Sequence, residues 1–140
     1  CDYEEGARIL TELADRDNVY ALYYLGLCYL RGKGVDQDIN KSIELVKQSA
    51  DLGYAVAQVD IANGYFNPNP EFGIEQDFSN AMIYYKMAAN QGYPIAMYII
   101  GEMYKNGFGV DKDLNEAEKW FKKASDQGFT YQQMQQMRQQ

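Results

Sequence analysis

Small and apolar residues recur along this chain at helical spacing, and the same series of positions appears more than once. In its clearest copy the series is Ala96, Ile100, Gly101, Tyr104, Gly107, Gly109, Val110 and Asp113. Near the start of the chain the same residue types stand at the same spacing, as Ala21, Leu25, Gly26, Tyr29, Gly32, Gly34, Val35 and Asp38. Apolar residues three to four positions apart predict a helix, and the paired glycines predict where it ends. The pattern therefore indicates a helical repeat.

A looser copy of the series lies between these two. It keeps four of the positions, as Ala57, Ile61, Ala62 and Tyr65. Three additional residues then enter before the series resumes at Gly73, so that the template alanines at 21, 57 and 96 stand 36 and 39 positions apart. Pro68 and Pro70 lie in this insertion and predict a stiff loop. The loop is either tolerated variation or a contact point for a partner.

A second helix is predicted in each repeat, at about 39–52, 78–91 and 114–127, after an initial helix over 2–14 and a first helix over 20–31. Each second helix follows an aspartate whose carboxylate can cap free backbone N–H groups, namely Asp38, Asp77 and Asp113. Each is expected to end at a C-cap glycine, namely Gly53, Gly92 and Gly128. Their large packing residues are Leu45, Tyr84 and Trp120. Alanine or serine at seven-residue spacing keeps neighbouring helices close.

These elements predict an all-α solenoid of helical hairpins that forms a single repeat domain. We place a half repeat over residues 1–17, whole repeats over 18–53, 54–92 and 93–128, and a C-terminal capping segment over 129–140. A chain of 140 residues is long enough for one such stack, with its core spread along the repeats.

The formal net charge of −7 limits the classes of partner. A protein that grips phosphates needs a cationic face, so we expect no nucleic acid. A protein or peptide ligand with a basic patch suits this charge better. The longest uncharged apolar stretch, residues 19–30, is too short to cross a bilayer. No targeting segment is visible in the sequence, and bacterial cytoplasm and periplasm both stay open as locations.

The two cysteines, Cys1 and Cys28, predict neither a disulfide framework nor a metal site. If the first helix folds back on the second near Asp17, they are offset by about six residues, or roughly 9 Å, which exceeds the reach of a disulfide. Cys28 is interpreted as a small buried apolar residue. Cys1 has two interpretations: an acylated lipoprotein cysteine, which would make a membrane a partner, or a cut through a longer protein.

The composition argues against an enzyme. Histidine is absent, which removes the commonest general base and metal ligand at neutral pH. The sequence contains no nucleophile motif, phosphate loop or metal-spaced ligand set. The glycine pairs at 32 and 34 and at 107 and 109 fit the turn between the helices of a repeat better than a phosphate site. We therefore predict no catalytic residues, no metal and no cofactor.

The whole series resembles the Sel-one-like repeat, a relative of the tetratricopeptide repeat. The resemblance covers residues 3–129 and rests on Ala-(x)3-Leu-Gly-(x)2-Tyr-(x)2-Gly-x-Gly-Val-(x)2-Asp, in two near-complete copies and one degenerate copy. It implies antiparallel helix pairs stacked into a right-handed α-α superhelix, with the first helices lining a concave face. It further implies a non-catalytic adaptor or scaffold in signalling, envelope or quality-control assemblies. One branch of the family staples each repeat with a cysteine pair, and this sequence lacks those cysteines.

Candidate binding residues are those that the repeat pattern leaves free on the first helices. At 100° per residue, the shared alanine, leucine and tyrosine occupy one face of each helix. The opposite face, which a solenoid turns toward its groove, consists of Tyr23, Leu27, Leu30, Val59, Asn63, Phe66, Tyr98, Glu102 and Lys105. Aromatic and aliphatic residues in an exposed row mark a recognition surface. The alternative is that superhelical curvature buries these side chains against the next repeat.

We therefore expect a protein or peptide to bind in the concave groove, with the apolar members of this face supplying affinity and the polar members fixing orientation. Two other interpretations stay open. The chain could be a lipid-anchored bacterial envelope protein, such as a toxin-immunity protein, or a structural segment of a longer repeat protein. A polysaccharide-binding hydrolase would need converging carboxylates, which the sequence does not indicate.

Overall fold

The chain is all-helical over the residues that its computed structural model describes, 2–140. Its helices in chain order are α1 (Asp2–Ala14), α2 (Val19–Arg31), α3 (Ile39–Asp51), α4 (Ala55–Phe66), α5 (Phe78–Asn90), α6 (Pro94–Asn106), α7 (Leu114–Asp126) and α8 (Tyr131–Arg138). A short 3-10 helix, Pro70–Phe72, follows α4. No strand occurs within residues 2–140. The predicted all-α class is confirmed, and the predicted helix limits agree to within a residue.

The helices form two compact units, Cys1–Gln76 and Asp77–Gln140, and the boundary falls inside the second repeat. In unit 1, α1 packs on α2, α2 on α3, and α3 on α4. In unit 2, α5 packs on α6 and α6 on α7. Each helix therefore buries its apolar face mainly against its neighbours in the chain, as expected for a repeat architecture.

The predictions that depend on Cys1, acylation and a bridge to Cys28, lie outside the described residues. Cys28 itself is half-buried and carries a free thiol, whose pKa burial raises. In the part of the chain that the structure describes, no helix is both long and apolar enough to cross a membrane.

An aspartate begins each second helix, as predicted. The Oδ1 atoms of Asp38, Asp77 and Asp113 accept hydrogen bonds of 3.0 Å from the backbone N–H groups of Lys41, Asn80 and Glu116. Asn18 caps α2 in the same way, through Ala21 N at 3.0 Å. Such caps satisfy backbone donors that have no partner inside the helix, and each typically stabilises the fold by about 1 kcal/mol.

Gly53, Gly92 and Gly128 were predicted as the C-caps of the second helices, but in each case the C-cap is the residue before the glycine. The C-caps are Leu52, Gln91 and Gln127, and the glycines that follow them have φ values of 111°, 87° and 82°. After α3, Gly53 N donates to Ala50 O at 3.0 Å and Tyr54 N donates to Ser49 O at 3.1 Å. This bonding pattern is a Schellman motif, which needs a left-handed residue directly after the C-cap. The same pair of bonds follows α5 and α7.

An aromatic residue stands directly beyond each of these three turns: Tyr54, Tyr93 and Phe129. In unit 1 the Tyr54 ring meets Tyr23 of α2 edge to face, with the ring centroids 5.3 Å apart. In unit 2 Phe129 meets Tyr98 of α6 at 5.8 Å. In each unit, an aromatic residue directly beyond the turn that ends a second helix thus covers a tyrosine of the first helix packed against it.

Close helix approach within the hairpins depends on glycine. A Cβ atom at Gly26 of α2 would lie 2.7 Å from Val46 Cγ2 of α3. A Cβ atom at Gly101 of α6 would lie 2.6 Å from Phe121 Cε1 of α7. Both distances are shorter than real side chains tolerate, so these two positions confirm the prediction that small residues keep the paired helices close.

The predicted core positions are buried in both units. The packing residues Leu45, Tyr84 and Trp120 are all buried, and so are the small residues at seven-residue spacing: Ala7, Ala14, Ser42, Ser49, Ala81, Ala88, Ala117 and Ala124. Ser49 satisfies its hydroxyl by donating to Val19 O at 2.6 Å. The side chain of Gln58, also buried, donates to Ala50 O at 3.0 Å and so ties α4 to the end of α3.

Substituting the same residue type at two glycines should change stability in opposite directions. Gly26→Ala should lower the free energy of unfolding by about 1–3 kcal/mol, because the added methyl group overpacks the α2–α3 contact. Gly6→Ala, in α1, should raise it by about 0.5–1 kcal/mol, because its Cβ would meet nothing within 4 Å and alanine favours the helix. Equilibrium urea unfolding measures both. Equal stability of the two variants would contradict the requirement for close helix approach.

Candidate functional site

Packing covers three of the predicted binding residues. Tyr23 is only 9% exposed, and Val59 and Tyr98 are each 8% exposed. The Tyr23 ring is covered by Tyr54, as described above. The Tyr98 ring packs against Phe129 and against Phe121, whose ring centroid lies 5.2 Å from that of Tyr98. Burial of these side chains is the alternative that the sequence left open. Their hydrophobic area is therefore largely used inside the fold, and their part in binding stays a prediction.

Three other predicted residues, Leu27, Leu30 and Asn63, meet at one apolar cleft in unit 1, which we call the unit-1 cleft. Its volume is about 310 Å³. Its aliphatic and aromatic lining comes from α2, α3, α4 and the loop after α4: Leu27, Leu30, Ile43, Val46, Ile61, Phe72 and Ile74. Its polar lining consists of Ser42, Asp60, Asn63, Asn67 and Asn69, and Gly64 also borders it. Phe66, which was predicted with them, is half-buried and does not line the cleft.

The three-residue insertion in the second repeat shapes one end of this cleft. In the first and third repeats the turn glycine packs tightly: a Cβ atom at Gly34 would overlap the Tyr3 carbonyl oxygen, and one at Gly109 would lie 2.7 Å from Phe78 Cβ. At the corresponding Gly73, nothing lies within 4 Å of the same position. The inserted segment thus leaves space at Gly73 that the other repeats fill; this space lies outside the unit-1 cleft, and Phe72 borders both.

Local hydrogen bonds order the inserted segment. Asn69 caps the 3-10 helix by accepting from Glu71 N at 3.0 Å, and Gln76 Nε2 donates to Phe66 O at 3.0 Å. The segment therefore holds Phe72 and Ile74 as part of the cleft wall. The Pro68–Pro70 loop that the sequence singled out is an integral part of this site.

Asp60 is the one charged side chain that lines the unit-1 cleft. Its Oδ2 atom accepts a hydrogen bond of 2.6 Å from the hydroxyl group of Tyr23. Burial raises the pKa of Asp60, and the hydrogen bond from Tyr23 lowers it by a smaller amount. The pKa of Tyr23 is raised by burial and by this same carboxylate. Asp60 is nevertheless exposed to solvent, so water as well as the Tyr23 hydroxyl group stabilises its charged form.

The remaining predicted residues lie around a second, more polar cleft of about 500 Å³ in unit 2, the unit-2 cleft. Tyr98, Glu102 and Lys105 line it together with residues that follow α7, including Phe129 and Tyr131. Arg138 of α8 donates to both carboxylate oxygens of Glu102, at 3.2 and 3.0 Å. Part of this cleft is thus engaged by the chain's own C-terminal helix, whose Met134 is buried.

Sequence reasoning missed Asp60 and the wall formed by Phe72 and Ile74. A signal for Asp60 was present, because it is the only charged residue in α4, Ala55–Phe66. A second signal was Gly64, a glycine inside the same helix without a predicted packing partner. Ile74 holds the repeat position of Val35 and Val110, so the repeat pattern was a signal for it. No sequence signal placed Phe72, because its position depends on how the insertion folds.

A protein-family model for the Sel1 repeat matches residues 19–54, 55–93 and 94–129, and so covers most of the chain. The chain belongs to the Sel1 repeat family. A comparison with curated proteins gives no significant match.

Solved structures agree with this assignment. A Sel1 repeat protein from Oxalobacter formigenes is 29% identical over 95% of this chain and 97% of its own, with a TM-score of 0.80. The c5321 protein, described as a protective antigen of uropathogenic Escherichia coli with an SLR fold, is 33% identical with a TM-score of 0.77. The match covers 87% of this chain but only 26% of c5321. Cysteine-rich protein B of Helicobacter pylori, 18% identical with a TM-score of 0.66, shares the fold. The predicted helical repeat solenoid class is confirmed.

Sel1 repeats are generally protein–protein interaction modules, and the proteins that contain them are typically non-catalytic. Within residues 2–140, no three histidine, cysteine or acidic side chains are grouped so that they could hold a metal ion. Of the two clefts described above, the unit-1 cleft has the more apolar lining.

Replacing Asp60 should show what its charge does to stability. The pKa of Asp60 in the folded protein is above its ordinary value of 3.8, so ionisation of this carboxyl group disfavours the fold. We expect Asp60→Asn to raise the free energy of unfolding at pH 7. This gain should shrink as the pH falls through the raised pKa and vanish below about pH 3.8, where Asp60 is protonated in both states.

Urea unfolding at several pH values between 7 and 4 measures this difference. Glu44→Gln, at an exposed carboxyl group of α3, makes the same change in formal charge and serves as the control. A loss of stability in Asp60→Asn at pH 7 would instead mean that the Tyr23 hydrogen bond outweighs the effect of burial.

Proposed function

We propose that this Sel1 domain is a non-catalytic adaptor that binds a segment of a partner protein, and that the unit-1 cleft is its main contact site. The observation that carries this proposal is an open apolar cleft of about 310 Å³ beside Leu27, Leu30 and Asn63 on the face predicted to bind. This volume is at the lower end of the range for ligand sites and suits one or two side chains of a peptide.

The lining of the cleft has the two components that peptide recognition requires. Leu30, Val46 and Phe72 provide apolar area, whose contact with a ligand side chain would release water. Asn67 provides an amide group that can both donate to and accept from a peptide backbone. Recognition sites commonly combine an apolar pocket with a few polar groups that fix orientation.

The other predicted residues fit this proposal in different ways. Tyr23 and Val59 would act by shaping the helices that hold the cleft, since both are buried. In unit 2, Glu102 and Lys105 line a separate polar cleft, where Arg138 already pairs with Glu102. The adaptor interpretation does not depend on Cys1.

A variant that fills the cleft tests the proposal without removing any lining side chain. Gly64 borders the cleft, and a Cβ atom there would meet only Ile74 Cδ1, at 3.7 Å. Gly64→Leu should therefore fold and place its side chain in the cleft. Gly6→Leu makes the same substitution in α1 where a Cβ atom meets nothing within 4 Å, and it is the matched control.

The probe is a displayed library of random dodecapeptides selected on the natural sequence. We expect the selected peptides to lose at least tenfold in affinity with Gly64→Leu and to bind Gly6→Leu unchanged, as measured by fluorescence anisotropy. Circular dichroism checks that both variants are folded. Equal affinity for all three proteins, or no enrichment of any peptide, would contradict the proposed site.

A further inference from the structure

The unit-1 cleft places a carboxylate against an otherwise uncharged lining, and this arrangement restricts what can bind there. Of the residues that line the cleft, Asp60 alone carries a charge, and the helix that bears it, α4, has no other. A charge next to apolar surface attracts the opposite charge more strongly than it would in open water, because the local dielectric constant is lower.

The carboxylate is held in a defined orientation. Tyr23 donates to Oδ2 at 2.6 Å, and the Tyr23 ring is itself packed edge to face between Tyr54 and Tyr24, at centroid distances of 5.3 Å each. A carboxylate can accept several hydrogen bonds, so this contact orients Asp60 and leaves it capacity for a ligand. Tyr23 orients the carboxylate, and Tyr54 and Tyr24 in turn hold Tyr23 in place. Such support from a second layer of side chains is expected for a group that binds a ligand.

Aromatic surface extends beside this pair. Tyr20 and Tyr24 are 58% and 49% exposed, and Tyr20 packs on Tyr54 at 5.0 Å. Aromatic faces attract cations, most strongly the guanidinium group of arginine. Neither ring lines the cleft, and both are connected to Asp60 through the Tyr23 ring, so Asp60 is the group that would recognise the cation.

Charge and stability support the same partner chemistry. The net charge of −7 favours encounter with a basic surface. Burial raises the pKa of Asp60, so a cation that pairs with this carboxylate would favour its charged form.

We propose that the unit-1 cleft takes a segment of a partner protein in which an arginine or lysine stands near an aliphatic or aromatic residue. The cation pairs with Asp60, and the apolar side chain enters between Leu27, Val46 and Ile74. This inference rests on the proposed adaptor function and adds to it the class of partner, a basic and apolar segment.

The probes are capped nonapeptides with a leucine at the centre and a single variable residue. In separate peptides, the variable residue stands at each of the four positions on either side of the leucine. The variable residue is arginine, its neutral isostere citrulline, or glutamate. On the natural sequence, we expect the best arginine peptide to bind at least tenfold more tightly than its citrulline counterpart, with the glutamate peptide weakest. The preference should fall as sodium chloride is raised, because salt screens the pairing.

Asp60→Asn should remove the preference, so that the arginine and citrulline peptides bind equally. Asp60→Lys should reverse it in favour of glutamate. Glu44→Gln, on the exposed side of α3, is the matched control and should keep the preference for arginine. A preference for arginine that survives in Asp60→Asn, or its absence in the natural sequence, would overturn the inference.

The outcome also separates this inference from the adaptor function. If all three peptides bind the natural sequence equally and lose affinity with Gly64→Leu, the cleft binds peptides but does not select cations. If Gly64→Leu changes nothing, the cleft is not the site and both proposals fail. If the protein forms a dimer in sedimentation equilibrium that Gly64→Leu dissociates, the cleft takes a second copy of the chain, and the inference of a basic partner segment is wrong.

Discussion

An aromatic ring directly beyond a Schellman turn determines much of the arrangement in each unit. The turn needs a glycine in the left-handed conformation, and that conformation directs the next residue back over the first helix of the repeat. In unit 1 the ring of Tyr54 consequently covers Tyr23, and in unit 2 Phe129 covers Tyr98. The covered tyrosine of unit 1 then holds Asp60 by its hydroxyl group. A backbone requirement at a helix end thus orients a carboxylate at the surface of a cleft.

The repeats differ at the turn between their two helices, and the longer turn of the second repeat contributes to the wall of the unit-1 cleft. Where the turn is short, at Gly34 and Gly109, backbone contacts leave no room for even a methyl group. The three extra residues of the second repeat remove that contact at Gly73 and bring Phe72 and Ile74 to the cleft. An insertion into a helical repeat can therefore add to the wall of a cleft while the helices on either side keep their packing.

Asp60 combines a raised pKa with a position in the lining of the unit-1 cleft. Burial disfavours its charge, and the hydrogen bond from Tyr23 compensates only in part. Replacement by an uncharged residue is therefore predicted to raise the free energy of unfolding at pH 7. Pairing with a partner's cation, as proposed, would favour the charged form of this carboxyl group. The Glu102–Arg138 pair of unit 2 illustrates the opposite case, since there the chain itself supplies the counter-charge.

The sequence by itself determined the repeat, its helices and its caps, because these depend on local rules. Helical periodicity, aspartates that cap, and glycines at turns act within a few residues, and they also carry the family resemblance. It also identified Leu27, Leu30 and Asn63 as residues of the open face. Only the tertiary structure decided that Tyr23, Val59 and Tyr98 are buried, and that Asp60, Phe72 and Ile74 meet in one cleft. These outcomes depend on contacts between distant residues and on the path of an insertion, and periodicity within one helix contains no information about either.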